Sequence, residues 1–247
     1  MKHAVLSASA SHRWLVCPGS VAANAGDKRE SSPAAVEGTS AHALLEVCLR
    51  LDAEPEEFLG QVLDAGLMPV DDGMVDGVGY ALDYTRAYVG NNPGARVLVE
   101  QRVHYGEQIG TTAQVAFGTS DIIIDNHPKE VVSLDYKHGI GISVSVKDNS
   151  QLRLYLLGMR NERRYQRYRA VVVQPRLPKR KPVQEAPGLT DKQLTDWAAK
   201  TVIPVVPVAL SKNAPRVAGA HCRFCAADGN CTAQYDLVMR KAREEFK

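Results

Sequence analysis

Short apolar runs closed by turn residues alternate, through the middle of the chain, with stretches of helical spacing. Arg96 to Val103 alternates like a strand. Asp121-Ile122-Ile123-Ile124 and Val131-Val132-Ser133-Leu134 are short and β-branched, with the turn cluster Asn126-His127-Pro128-Lys129 between them. That order predicts an antiparallel hairpin. Asp148-Asn149-Ser150 then offers an N-cap to a Leu/Met-rich helix over Gln151 to Arg160, and Tyr168 to Gln174 reads as a further strand. Strand, helix, strand predicts a right-handed crossover that lays the helix beside the hairpin. Upstream, Ala41 to Leu49 has helical character, and Val75 to Val89 places Val78, Leu82, Thr85 and Val89 on one face before the breaker Gly90-Asn91-Asn92-Pro93-Gly94. Between those helices, Leu51 to Met74 is acidic and interrupted by Pro55, Gly60, Gly66, Pro69 and Gly73, which predicts loops and short helices. Downstream, Pro175, Pro178 and Pro182 mark a loop, and Thr190-Asp191-Lys192-Gln193 opens a helix that carries Trp197 and is broken by Pro204 and Pro207. Tyr235 to Lys247 reads as a charged helix. The pattern is that of an α/β fold with a central mixed sheet flanked by helices.

With 247 residues, 45% of them hydrophobic, the chain can bury a sizeable core. No repeat or low-complexity segment divides it, so one domain over 1–247 is the economical reading. It would have a helical part over about 1–95, a sheet-bearing core over about 96–180, and a C-terminal helix and cysteine region over about 189–247. A net charge of +2 selects no partner. No apolar run is fit to span a bilayer, and Ser7, Ser9, Ser11, His12 and Arg13 interrupt any signal-peptide core, so a cytoplasmic protein is expected. The five cysteines are odd in number and clustered, unlike a secreted disulfide framework. Cys222-x2-Cys225-x5-Cys231 supplies three close thiolates and needs a fourth. Cys48 lies on the apolar side of a helix and suits packing, whereas Cys17 sits in the turn Cys17-Pro18-Gly19-Ser20, where its sulfur can point freely. Zinc and an iron-sulfur cluster both accept four thiolates.

Residues that face each other across a hairpin have numbers with a constant sum, and setting Asp121 opposite Asp135 centres the turn on Pro128. Alternation then puts Lys137 on the face of Asp135. Two opposed carboxylates need a cation, which Lys137 or a divalent metal supplies; hard oxygen donors suit Mg²⁺ or Mn²⁺. Taken alone, Asp135-x-Lys137 reads as a solvated cross-face pair at a strand end. Gln151 and Tyr155 fall one turn apart, placed to orient the acids or a sugar-phosphate backbone. His42 and Glu46 share a helix face; a single helical histidine commonly just packs, and a glutamate commonly faces water. Glu100 could approach the site from its strand, an ion pair with Arg102 or Lys137 being the safer reading. The basic run Arg160, Arg163, Arg164, Arg167, Arg169, Arg176, Lys179, Arg180 and Lys181 is either a solvated face or a nucleic-acid track.

In order, Gly38-Thr39-x-Ala41-His42-x3-Glu46, Gly118-x2-Asp121, Asp135-x-Lys137 and Gln151-x3-Tyr155 resemble the motifs of the PD-(D/E)XK nuclease superfamily, in particular its RecB-like branch. Cys17 with the C-terminal triplet is similar to the iron-sulfur members, AddB-type helicase-nucleases and CRISPR adaptation nucleases among them. A short chain without a Walker-type stretch most resembles stand-alone phage and prophage members. The resemblance implies a restriction-endonuclease-like core and a Mg²⁺- or Mn²⁺-dependent deoxyribonuclease. His42, Asp121 and Asp135 would bind metal, with the Tyr136 carbonyl and Glu46 as accessories, Lys137 as the catalytic cation, and Gln151 and Tyr155 beside the strand being cut. It implies a 4Fe-4S cluster on Cys17, Cys222, Cys225 and Cys231 joining the two termini, with Zn²⁺ as the alternative. The implied partner is DNA, together with a phage recombination, helicase or single-strand-binding protein, in exonucleolytic or end-processing work during phage recombination or replication. The other reading is a non-catalytic DNA-binding accessory protein with a structural Fe-S or Zn site.

Overall fold

Every residue of β3, Glu130–Tyr136, is buried, because helices cover both faces of the sheet to which it is central. The computed structural model describes residues 4–26 and 32–245. The sheet has five strands in the order β1-β2-β3-β4-β5, namely Arg96–His104, Phe117–Asn126, Glu130–Tyr136, Arg167–Val173 and Val183–Glu185. All neighbours pair antiparallel except β3 and β4, which run parallel. The parallel pair is joined through α5, Ser150–Glu162. The expected mixed sheet flanked by helices is therefore present.

Alternation sorts the strand side chains into two cores. Ile123, Val131, Ala170 and Val172 meet Leu152, Leu156 and Met159 of α5, together with Trp14 of α1, Ser11–Trp14. Ile122, Ile124, Val132, Leu134, Val171 and Val173 meet α3, Pro33–Leu51, and α4, Asp72–Asn91. Cys48 belongs to this second core with no exposure, as its apolar surroundings predict, and burial pushes its thiol up to about 11. Helix starts follow local chemistry: Ser32 accepts from the Ala35 N–H with Pro33 in the first turn of α3, and Asn149 accepts from the Leu152 N–H to open α5. Thr190 and Gln193 close a capping box at α6, Asp191–Trp197.

Three expectations change. Val183–Glu185 forms an edge strand on β4 inside the proline-rich loop. The helix broken by Pro204 and Pro207 becomes a π-turn, Ala198–Val202, and a short α7, Val206–Ala209, with Pro207 in its first turn. The C-terminal helix α8 already begins at Thr232 and is described to Glu245; Phe246 and Lys247 lie outside the described residues, as does Ser31 ahead of α3. Among the described residues no helix is long and apolar enough to cross a membrane.

Candidate active site

The hairpin register is the one that opposes the two acids. Ile122 pairs with Leu134 and Asp125 with Val131, so one further step outward sets Asp121 opposite Asp135. Ladder pairing stops at Ile122, and beyond it the Asp121 side chain takes over, accepting the Tyr136 backbone N–H at 2.7 Å. His42 of α3 reaches the same aspartate from the other layer, Nδ1 standing 3.6 Å from Oδ1.

A third donor comes from β1. Val99 pairs with Ile122 and Gln101 with Ser120, leaving Glu100 across from Asp121 with a left-handed φ of 50° in mid-strand. Such a backbone costs a non-glycine residue of order ~1–3 kcal/mol and concentrates at functional sites. One ligand atom from each of His42, Glu100 and Asp121 lies within 4.8 Å of the others. This favours the site over the ion pair for Glu100, since Lys137 pairs with Asp135 instead. Burial pushes its carboxyl up to about 7, Asp121 and Glu46 adding to the effect and Arg50 opposing it. Glu46, expected as an accessory ligand, is instead held by Arg50 at 2.8 Å on the helix surface, which leaves Glu100 nearer to the role.

Asp135 is only 2% exposed. Its Oδ1 accepts from Lys137 Nζ and from Gln151 Nε2, each at 2.8 Å, while its Oδ2 is buried without a hydrogen-bond partner. Burial raises the Asp135 carboxyl, Lys137 opposing and Asp121 adding. Burial also works against the charge of Lys137, but Asp135 and Asp121 outweigh it and hold the ammonium above its usual range. A buried carboxylate oxygen with no donor is costly; a cation is one way to satisfy it. The converged donors, two carboxylates and an imidazole, suit a hard divalent ion, and the buried Asp135 stands opposite Asp121 on the hairpin. A cleft of about 430 Å³ opens over this point, lined by Thr39, His42, Glu100, Asp121, Lys137 and His138 among others.

Of the two roles open to Gln151 and Tyr155, orienting the acid is the one the geometry displays, through Gln151. Tyr155 is 3% exposed and packs against Gly118, where a Cβ would meet its Cε1 at 2.8 Å, so it is not available to a strand in the cleft. Tyr136 contributes its N–H to Asp121 and sets its ring edge-on to His42 with centroids 5.5 Å apart. The basic run is largely spent on internal pairs. Arg160 and Arg164 bind Asp191, Arg163 lies 3.6 Å from Asp125, and Arg169 bridges Glu130 and Glu185. Sequence reasoning missed Glu37, His138, Gln174 and Arg176, which wall the cleft or brace it; only the adjacency of Glu37 and His138 to the motifs hinted at them.

Separate from this cleft, Cys17, Cys222, Cys225 and Cys231 line one small pocket, while Cys48 lies apart in the core. Gly19 makes that meeting possible: its N–H donates to Pro215 O at 2.8 Å, and a Cβ there would stand 2.7 Å from Ala214 O. Sulfurs are approached by N–H groups, Val217 to Cys17 at 3.2 Å, Gly219 to Cys222 at 3.4 Å and Asn24 Nδ2 to Cys225 at 3.3 Å. Donors aimed at sulfur suit thiolates, and four thiolates in one pocket are the donor set of a zinc or iron-sulfur centre. No disulfide joins them.

Similar solved structures include the protein SSO0001, at 15% identity and TM-score 0.42 over 94% of this chain and 88% of that one. A "Putative exonuclease" from Eubacterium rectale is 14% identical, with TM-score 0.46 over 83% and 79%. The alkaline exonuclease LHK-Exo of Laribacter hongkongensis is 13% identical, with TM-score 0.34 over 90% and 92%. Residues 3–247 match the family model described as "Protein of unknown function (DUF2800)", and the chain belongs to that family.

Proposed function

We propose that this chain is a Mg²⁺- or Mn²⁺-dependent nuclease that hydrolyses phosphodiester bonds in DNA, a relative of the RecB-like PD-(D/E)XK enzymes. The observation that carries the reading is the convergence of His42, Glu100 and Asp121 within 4.8 Å, with Asp135 opposite Asp121 on the hairpin, its Oδ2 unpartnered and the Lys137 ammonium 2.8 Å from its Oδ1.

His42, Glu100, Asp121 and Asp135 would hold the ion. Bound there, it supplies Lewis-acid charge for the phosphate and for the attacking water. The remaining work falls to the chain. Lys137, charged throughout the neutral range, stands beside Asp135 to orient that water and to offset negative charge that builds on the phosphate in the transition state. Gln151 holds Asp135 by the oxygen that Lys137 shares, which would leave the unpartnered Oδ2 as the oxygen to bind the ion. Tyr136, through its N–H, fixes Asp121. The four cysteines would hold a structural centre, 4Fe-4S in our reading and Zn²⁺ as the alternative, that closes a loop of about two hundred residues.

The test is an assay of purified protein with labelled single- and double-stranded DNA in Mn²⁺ or EDTA, read as product length over time. Wild type should cut only with metal, and Lys137→Ala should cut about 10²- to 10³-fold more slowly while still binding DNA. DNA binding without metal-dependent cutting would replace the enzyme by a non-catalytic accessory protein of recombination.

A further inference from the structure

The segment that leaves β4 carries two side chains that the donor set does not explain. Gln174, 2% exposed, pins the connection between β3 and α5: its Oε1 accepts the Val144 N–H at 2.9 Å, and its Nε2 donates to Gly139 O at 3.0 Å and Ile142 O at 2.8 Å. Two residues on, Arg176 turns towards the cleft wall. Its Nη1 donates to Glu37 Oε1 of α3 and to His138 Nε2.

Both contacts lead to the donors. Glu37 lies five residues before His42 on the same helix. His138, 2% exposed, meets both Arg176 Nη1 and, at 3.2 Å, Glu37 Oε1 through Nε2, and pairs through Nδ1 with Tyr136 Oη, 2.8 Å away. Burial and the neighbouring guanidinium keep its pKa below the ordinary histidine value, in keeping with a neutral ring. Tyr136 in turn holds Asp121 through its backbone N–H and stands edge-on to His42. Gly77 of α4 closes the arrangement from behind, a Cβ there standing 2.7 Å from Tyr136 Oη. A single guanidinium is thus joined to His42 along α3 and to Asp121 along His138 and Tyr136.

We propose that Arg176 is a positioning residue: it clamps α3 to the end of β3, and so sets the spacing of His42 and Asp121 on which cation affinity depends. The inference rests on the metal-site reading given above. Lysine is a poor substitute, since its ammonium is a strongly hydrated point charge on a flexible stem and lacks the pre-organised plane of the guanidinium.

The experiment is an Mn²⁺ titration of the full chain followed by electron paramagnetic resonance of the free ion. It compares wild type, Arg176→Ala, Arg176→Lys, Tyr136→Phe and Arg169→Ala, with an unfolding midpoint for each. Arg169 serves as the control, an arginine bridging two carboxylates at the other end of β4. Arg176→Ala should weaken Mn²⁺ binding by about 10- to 100-fold, the usual effect of losing a group that orients metal ligands. Arg176→Lys and the near-isosteric Tyr136→Phe should weaken it less, and Arg169→Ala should leave it unchanged whatever its midpoint. Cleavage by Arg176→Ala should recover in excess Mn²⁺ with the KM for DNA unaltered. Wild-type affinity in Arg176→Ala and Tyr136→Phe overturns the clamp, as does an equal loss in Arg169→Ala, or a loss of DNA affinity in place of metal affinity. A wild-type chain that binds no Mn²⁺ overturns the metal site itself, and the clamp with it.

Discussion

Glu100 shows what one residue can hide from its sequence. Asp121 and Asp135 were legible because strand period and turn position together fix which residues oppose, and the observed register agrees. Nothing in Val99-Glu100-Gln101 announces a left-handed φ, so Glu100 looked like an ordinary strand position with an arginine neighbour. Its raised pKa yields a test with a definite sign. The folded value, about 7, lies above the unfolded one, so the unliganded protein has the full contribution of this group below about pH 4.5 and loses it as pH rises through 7. Glu100→Gln should therefore stabilise the protein in EDTA at pH 8 by ~2 kcal/mol, allowing for partial exposure, and by much less near pH 5. Thermal unfolding at the two pH values checks it; a variant less stable at pH 8 contradicts the placement. The same variant should bind Mn²⁺ more weakly, and in wild type the affinity should fall as pH drops below about 7, since the ion needs the ionised carboxylate.

Among the elements, α5 was the most readable, because an N-cap, a Leu/Met-rich body and a polar first turn all agree on where it begins. It is also the element that links core packing to chemistry. Gln151 in its first turn holds Asp135, and Tyr155 one turn later packs on the bare backbone of Gly118. Gly118→Ala should drive the buried tyrosine ring back and cost about 1–3 kcal/mol, as overpacking does. Asn149→Ala should cost about 1 kcal/mol by removing the cap alone. Denaturant unfolding measures both, and a Gly118→Ala variant as stable as wild type would show that the close approach at Gly118 is not tight. The short β5 and the π-turn after Trp197 were not legible: three residues of edge strand carry no periodicity, and a π-turn is set by how the helix must leave the core rather than by composition.

Over the whole molecule, the meeting of residue 17 with residues 222 to 231 is a long-range fact that spacing could suggest but only packing could place. Gly19 and the pairing of Arg13 Nη1 with Phe224 O at 2.7 Å bring the two ends together around the four sulfurs. If those sulfurs hold one centre, Cys222→Ala should lose the bound metal and lower the unfolding midpoint, while Cys48→Ala keeps the metal; elemental analysis and thermal unfolding decide. The basic run illustrates the converse, since a string of arginines on paper is divided by the fold among Asp125, Glu130, Glu185 and Asp191. The central claim is that four donors from α3, β1, β2 and β3 meet on one hard cation. Anomalous diffraction from crystals grown with Mn²⁺ tests it most directly. The account predicts a peak bonded to His42, Glu100, Asp121 and Asp135; a cleft without a peak, or manganese bound only elsewhere, would contradict it.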